Sequence, residues 1–182
     1  YNSPSGIENN VYCATIRRNA DSTFNEPFVI SSGFNFAKQE TSGIDFDVSY
    51  QYTFANGHTL ATRGIATYLL ELNNYFNVAD PTLPNRQKSE LGDPELGFNV
   101  NVNYGVGPLD VAYSYRYIGK QTIGTYEAQH AFNGSPAQNR DQYPRKWYPA
   151  VGYHNIRAEF AVNDMVSLFA GIDNALNEMP PL

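Results

Sequence analysis

The stretch that decides the fold runs from Ile44 to Phe54 and reads IDFDVSYQYTF. Its even-numbered positions are all aliphatic or aromatic, and its odd-numbered positions are all polar. A period of two places the two sets on opposite sides of an extended chain, whereas a helix would spread both sets around its circumference. The stretch is therefore predicted to be a β-strand with one apolar and one polar face.

The same alternation recurs along the rest of the chain. We extend the first strand to about 34–54 and predict five more strands at about 59–71, 95–104, 109–118, 154–162 and 166–172. Lys38 and Glu40 interrupt the apolar set of the first strand before Ile44. Apart from these two, no charged residue falls on the apolar side of any strand, and the other strand charges fall on the opposite side. The apolar sides therefore face a medium that excludes charge, either a protein core or lipid.

The connections between these strands alternate in length. Short turns at 55–58, 105–108 and 163–164 alternate with long polar loops at 72–94 and 119–152. Tight turns at one end and long loops at the other are typical of outer-membrane barrels. The predicted fold class is all-β, an antiparallel up-and-down transmembrane β-barrel fragment with short periplasmic turns and long extracellular loops. A soluble antiparallel sandwich alternates in the same way and remains open on pattern alone.

Composition restricts the function of this 182-residue chain. The net charge of −6 and the pI of about 4.9 argue against a nucleic-acid surface. Mean hydropathy is −0.45, and no apolar run is long enough for a membrane helix. The single cysteine, Cys13, has no partner within the chain. His58, His130 and His154 lack metal-ligand spacing, so we expect no metal, no cofactor and no catalytic residues.

Four stretches resemble TonB-dependent outer-membrane receptors: TSGIDFDVSY at 41–50, GFNVNVNY at 97–104, LDVAYSYRYIG at 109–119 and GIDNALNEMPP at 171–181. The resemblance implies a barrel of about 22 strands with a plug domain inside it. It also implies a Gram-negative outer membrane and no enzymatic activity. The function it implies is import of a siderophore, cobalamin or oligosaccharide, with energy from the inner-membrane TonB complex.

The residues and the resemblance together predict how the chain is organised. Residues 1–33 are expected to form an extracellular loop or irregular segment, in which 11–18 is a short helix or irregular. Residues 34–173 would supply six antiparallel strands, and 174–182 would begin the last outer loop. We expect a piece near the C-terminal end of a barrel whose final strand lies beyond it. Its expected partners are outer-membrane lipid, the plug of the same receptor, a nutrient ligand, and TonB through a segment outside this sequence.

Candidate site residues fall into two groups. The loops carry cations and rings suited to anionic or ring-containing ligands: Tyr126, His130, Arg140, Tyr143, Arg145, Lys146, Trp147 and Tyr148 in the second loop, and Tyr75, Phe76, Arg86 and Lys88 in the first. The polar sides carry charges that we expect to form a hydrated ion-pair lattice along the lumen: Asp45, Asp47, Arg63, Arg116, Arg157 and Glu159. The loop residues also fit an ordinary solvated loop with an interfacial Tyr/Trp belt.

Two other functions remain open from the residues. One is a soluble all-β module that binds a carbohydrate or another ligand, which would purify without detergent. The other is a passive outer-membrane porin, which would lack a plug domain and a TonB-contact segment.

Overall fold

The computed structural model describes residues 16–21, 23–29, 38–76, 80–130, 136–137 and 145–180. The predicted start of the first strand at 34–37, Cys13, Arg140 and Tyr143 lie outside these residues. The chain divides into two units, one made of 1–40 with 73–86 and the other of 41–72 with 87–182. No helix in the described part is long and apolar enough to cross a membrane.

The first unit contains strands in the segment that was predicted to be irregular. Strand β1 (Ile16–Arg18) pairs antiparallel with β2 (Phe24–Val29). The expectation of a helix or irregular chain at 11–18 is therefore wrong for its last three residues. The β-branched Ile16 and the Phe24–Val29 stretch, which is rich in bulky residues, suit strands. The polar residues Asn19, Asp21 and Thr23, which lie between the two strands, obscured this hairpin in the sequence.

Six long strands form one antiparallel sheet in which each strand pairs with the next along the chain. These are β3 (Lys38–Thr53), β4 (Thr59–Tyr75), β6 (Leu96–Val106), β7 (Leu109–Ile118), β10 (Val151–Asn163) and β11 (Val166–Ile172). A short strand, β5 (Asn85–Arg86), pairs with the end of β4. The sheet does not close on itself within the described residues, because β3 and β11 are its edges. The predicted fold class, an antiparallel all-β barrel fragment, is confirmed.

Short elements occupy the predicted second loop. Strand β8 (Gln121–Thr122) pairs with β9 (Trp147–Tyr148), and one helical turn, α1 (Tyr126–Gln129), lies between them. The α1 turn begins after Thr125, whose hydroxyl accepts a hydrogen bond from the Ala128 amide at 3.2 Å. The loop is therefore more ordered than a plain polar connection.

Pairing register places the apolar sets of the strands on one face. Directly opposed residues of antiparallel strands project to the same side. One row runs Thr62, Val102, Tyr113 and Ile156 across four strands, and the next row runs Arg63, Asn101, Ser114 and Asn155. The structure therefore has a distinct apolar face and a distinct polar face.

Neither face of this sheet is covered by a second layer of the described chain. Large apolar side chains such as Val48 and Phe160 are 65% and 46% exposed, and Val151 is the one buried apolar residue that is described. A soluble sandwich would bury its apolar face against a second sheet about 10 Å away. Among the described residues, the sheet is therefore not half of a sandwich.

Aromatic residues mark both ends of the apolar face. At the turn end, Phe54 packs edge-on against Tyr104 at 6.2 Å, and the Tyr104 hydroxyl hydrogen-bonds His58 Nδ1 at 2.8 Å. At the loop end, Tyr117 stacks on Phe98 at 4.8 Å. Rings at the two rims of an apolar band are typical of interfacial girdles.

One polar pair lies within the apolar face and was not predicted. The Tyr113 hydroxyl hydrogen-bonds His154 Nδ1 at 2.7 Å, and the Tyr115 ring lies 4.7 Å from the His154 ring. The two polar groups satisfy each other, which lowers the cost of placing them on an apolar surface.

We predict that Tyr113→Phe destabilises the full-length protein by about 1 kcal/mol, because it leaves His154 without its partner on the apolar face. Denaturant unfolding in a neutral detergent measures the change. Tyr117→Phe is the matched control, since the Tyr117 hydroxyl has no hydrogen bond to any described residue. Equal effects of the two substitutions would contradict the account.

Candidate functional site

Burial in the described chain is concentrated at the loop end of the sheet. Six described residues are buried: Gly119 and five others that are each 5–8% exposed, Ser89, Gln121, Thr122, Gln129 and Val151. Five of the six lie in the loops, and Val151 begins β10. The most tightly packed part of the second unit is therefore a loop assembly, comprising 87–95, 119–130 and 145–150, and not the sheet.

The first loop is hydrogen-bonded to the second within this assembly. The Thr122 amide donates to the Ser89 carbonyl at 2.6 Å, and the Gln121 side-chain amide donates to the Glu90 carbonyl at 3.1 Å. The Tyr126 amide donates to Glu90 Oε1 at 3.2 Å. Buried backbone groups require such partners, so these bonds fix the two loops against each other.

The two ends of the second loop are also joined. Besides the β8–β9 pairing, the Ile123 amide donates to the Lys146 carbonyl at 3.0 Å. The buried Gln129 side chain donates to the carbonyls of Ile123 and Lys146. A single side chain therefore joins the α1 turn to both sides of the loop.

A turn in the first loop is held in an uncommon conformation. Ser89 has a φ of 70°, a left-handed value that is uncommon for residues other than glycine. Its amide donates to the Asp93 carbonyl at 2.8 Å, and its carbonyl accepts from Thr122. These bonds hold the uncommon conformation of Ser89 in place.

A groove of about 560 Å³ lies beside this assembly. Its walls include Tyr68, Leu96 and Tyr117, which belong to the apolar face. Its far side is formed by Trp147 and Tyr148, and the Lys120 ammonium lies 4.6 Å from the centre of the Trp147 ring. The groove therefore opens on the apolar side of the sheet.

The remaining loop candidates occupy three different environments. Tyr126 stacks on His130 with ring centres 4.0 Å apart. Arg145 and Lys146 are exposed, and neither forms an ion pair within the described residues. Arg86 lies on β5 in the first unit, and Arg140 and Tyr143 lie outside the description. Of the candidates in the second loop that the structure describes, Trp147 and Tyr148 are the two that line the groove.

An ionic cluster at the groove was missed by the sequence analysis. Lys88 Nζ lies 2.9 Å from Glu95 Oε1, and the Tyr68 hydroxyl donates to the same oxygen at 2.8 Å. The hydrogen-bonded Lys88 ammonium, followed by the Tyr68 hydroxyl, lowers the pKa of Glu95 below its ordinary value. The sequence separates these residues by 27 positions at most and contains no pattern that links them.

The polar face carries ion pairs among the predicted lumen residues. Arg63 binds Asp47 through two bonds, at 2.7 and 3.1 Å, and Thr67 donates to Asp45 at 2.7 Å. Arg157 lies 3.4 Å from Asp173. Arg116 and Glu159 form no ion pair with a described residue. The charges are thus partly paired along one side of the sheet.

The polar face also carries a cleft of about 670 Å³ near the short turns. Its lining includes Asp110, Glu159 and the 86%-exposed Phe169, which is an apolar exception on this side. Among the described residues, no group of three or more His, Cys, Asp and Glu side chains is arranged to hold a metal ion.

We predict that Gln129→Ala loosens the loop assembly, because it removes the donor for two loop carbonyls; the cost is about 1–3 kcal/mol. Hydrogen exchange of amides at 119–130 in the full-length protein should accelerate. Gln51→Ala, which removes an exposed glutamine from β3, is the matched control and should leave the loop amides unchanged. Unchanged exchange in both variants would contradict this role for Gln129.

We predict that acid lowers the stability of the folded conformation of the first loop. The folded-state pKa of Glu95 is lowered from 4.5, so its ion pair stabilises the folded loop above pH 4.5 and is lost as the pH falls through the lower folded-state pKa. Amides at 87–95 should therefore exchange faster in acid, after correction for intrinsic rates. Lys88→Met should already exchange faster at neutral pH and show a smaller acid step, because the Tyr68 hydroxyl still donates to Glu95. An acid step of wild-type size in that variant would refute the assignment.

A comparison with protein-family models matches residues 7–175 to the family described as TonB dependent receptor-like, beta-barrel. Comparisons with curated proteins and with solved structures give no significant match. The matched family consists of transporters of the Gram-negative outer membrane. Since the match covers most of the chain, and the antiparallel sheet with distinct apolar and polar faces agrees with it, this chain belongs to the family of TonB-dependent receptor β-barrels.

Proposed function

We propose that this chain forms part of the wall of an outer-membrane receptor that binds a nutrient at the cell surface and imports it with energy delivered through TonB. The observation that carries the proposal is the separation of the two faces by register, with an ordered loop assembly at one end only. A receptor wall needs each of these features: a lipid-compatible side, a hydrated side and a preorganised outer surface.

The apolar side would contact lipid, and the polar side would face the lumen and the plug domain. A charge at the bilayer midplane costs about 2–4 kcal/mol on the lipid side of a barrel. Asp47 and Arg63 form their ion pair on the polar side, where each side chain is more than half exposed. Exposed ion pairs contribute little to folding stability. The role of these charges would therefore be to hydrate the lumen and to contact the plug domain.

The long loops would face the cell exterior, and the short turns would face the periplasm. Two exposed cations, Arg145 and Lys146, together with the stacked Tyr126 and His130, lie in the second loop. Cations that form no described ion pair suit carboxylate or phenolate oxygens, and stacked rings suit planar or sugar rings. A ferric siderophore or an acidic oligosaccharide fits this chemistry better than cobalamin does. Arg140 and Tyr143 belong to the same loop in sequence.

Uptake by the intact receptor tests the proposal. Radiolabelled siderophores, cobalamin and oligosaccharides are supplied to cells with and without a functional TonB. We predict that uptake of one class requires both the receptor and TonB. Uptake that persists without TonB would favour a passive porin and overturn the proposal.

The ligand contacts are tested by affinity. We predict that the double variant Arg145→Ala with Lys146→Ala weakens nutrient binding at least about tenfold, since a hydrogen bond to a charged group contributes about 1.5–3 kcal/mol. Lys120→Ala is the matched control, because it removes a cation of the same loop from the groove on the apolar side. Unchanged affinity in the double variant would remove both residues from the nutrient site.

A further inference from the structure

The groove on the apolar side carries a positive charge that no described ion pair neutralises. Glu95 in its wall is paired with Lys88, so these two charges cancel. Lys120 is exposed and forms no ion pair with any described residue, and its ammonium lies over the Trp147 ring. Its charge also makes a smaller contribution than Lys88 to lowering the pKa of Glu95, so two ammonium groups face one carboxylate. An anion that enters the groove therefore meets one available ammonium among aromatic walls.

The groove and the short turns lie at opposite ends of the apolar band of the sheet. Residues Thr59 to Tyr68 of β4 pair with Gly105 to Leu96 of β6, which makes nine residue steps. At about 3.3 Å per step the paired segment is about 30 Å long, and a strand tilt of about 40° reduces its height to about 23 Å. The lipid-facing band of outer-membrane barrels is about 25 Å tall. The groove therefore lies at the level of lipid headgroups.

We propose that this groove binds the anionic phosphate headgroup of a membrane lipid in the outer leaflet. This inference rests on the proposed membrane orientation. Lys120 binds the phosphate, and Trp147 and Tyr117 pack against the glycerol or sugar portion and the first acyl carbons. Amphipathic rings are favoured at this depth, and a lysine stem lies along an apolar surface with its charge toward the headgroups.

The site differs from the proposed nutrient site in position and chemistry. Its walls include Tyr68, Leu96 and Tyr117 of the apolar face, so its occupant approaches from the membrane side. Glu95 in its lining is already bound by the Lys88 ammonium and the Tyr68 hydroxyl, so the charge of Lys120 leaves the groove net positive. A lipid with a net negative headgroup therefore suits the groove better than a zwitterionic lipid.

The test uses the full receptor in nanodiscs of phosphatidylcholine that contain a minor fraction of phosphatidylglycerol. Native mass spectrometry counts the phosphatidylglycerol that each receptor retains after detergent exchange, and titration gives its apparent affinity. The variants are Lys120→Gln, Lys120→Arg as the charge-conserving rescue, and Lys146→Gln as an exposed lysine outside the groove lining. Nutrient affinity of Lys120→Gln is measured in parallel.

We expect wild type, Lys120→Arg and Lys146→Gln to retain phosphatidylglycerol in preference to phosphatidylcholine. Lys120→Gln should lose about tenfold in affinity for phosphatidylglycerol and keep wild-type nutrient affinity. Inorganic phosphate at millimolar concentration should not displace the lipid, because the aromatic contacts require the rest of the lipid.

Three results would overturn the inference. Equal lipid retention by wild type and Lys120→Gln would exclude Lys120 as the phosphate ligand. Displacement by inorganic phosphate would make the groove a site for the free anion. A wild-type receptor that does not insert into nanodiscs would overturn the membrane orientation and this site together, whereas insertion without nutrient uptake would contradict only the proposed import.

Discussion

Backbone hydrogen bonding between neighbouring strands is the constraint on which this structure depends. The sheet is a single layer with two exposed faces, so its strands are held by their ladders and cross-strand contacts and not by a buried core. Because side chains alternate at every residue, a one-residue slip would move Arg63 and Asp47 onto the apolar face. In lipid such a slip would place charges in hydrocarbon at a high cost in free energy. The surrounding lipid would therefore favour the observed register.

The alternation in the sequence was enough to predict the sheet. The predicted strands at 109–118 and 166–172 match β7 and β11, because both strands lie between a short turn and a clear change in pattern. Strand β4 continues past the predicted end at 71 to Tyr75, since Asn73 and Asn74 pair with β5. That pairing is made by backbone groups, so the alternation of side chains in the sequence does not predict it.

The loop assembly was beyond sequence prediction for a related reason. Its bonds end at the carbonyls of Ser89, Glu90 and Lys146, and any residue supplies a carbonyl. The pattern also misses two exceptions on the sheet. His154 is tolerated on the apolar face because Tyr113 satisfies its nitrogen, and the exposed Phe169 lies on the polar face opposite Glu159. On the proposed orientation Phe169 faces the plug domain.

Site-directed spin labelling of β6 tests most directly which face meets hydrocarbon. Single cysteines are introduced from Leu96 to Tyr104 in the intact receptor in lipid bilayers, with Cys13 replaced, and a nitroxide is attached to each. The account predicts that collision with oxygen peaks at the even-numbered positions and that collision with a water-soluble nickel complex peaks at the odd-numbered ones. Alternation of the opposite phase, or none at all, would contradict it.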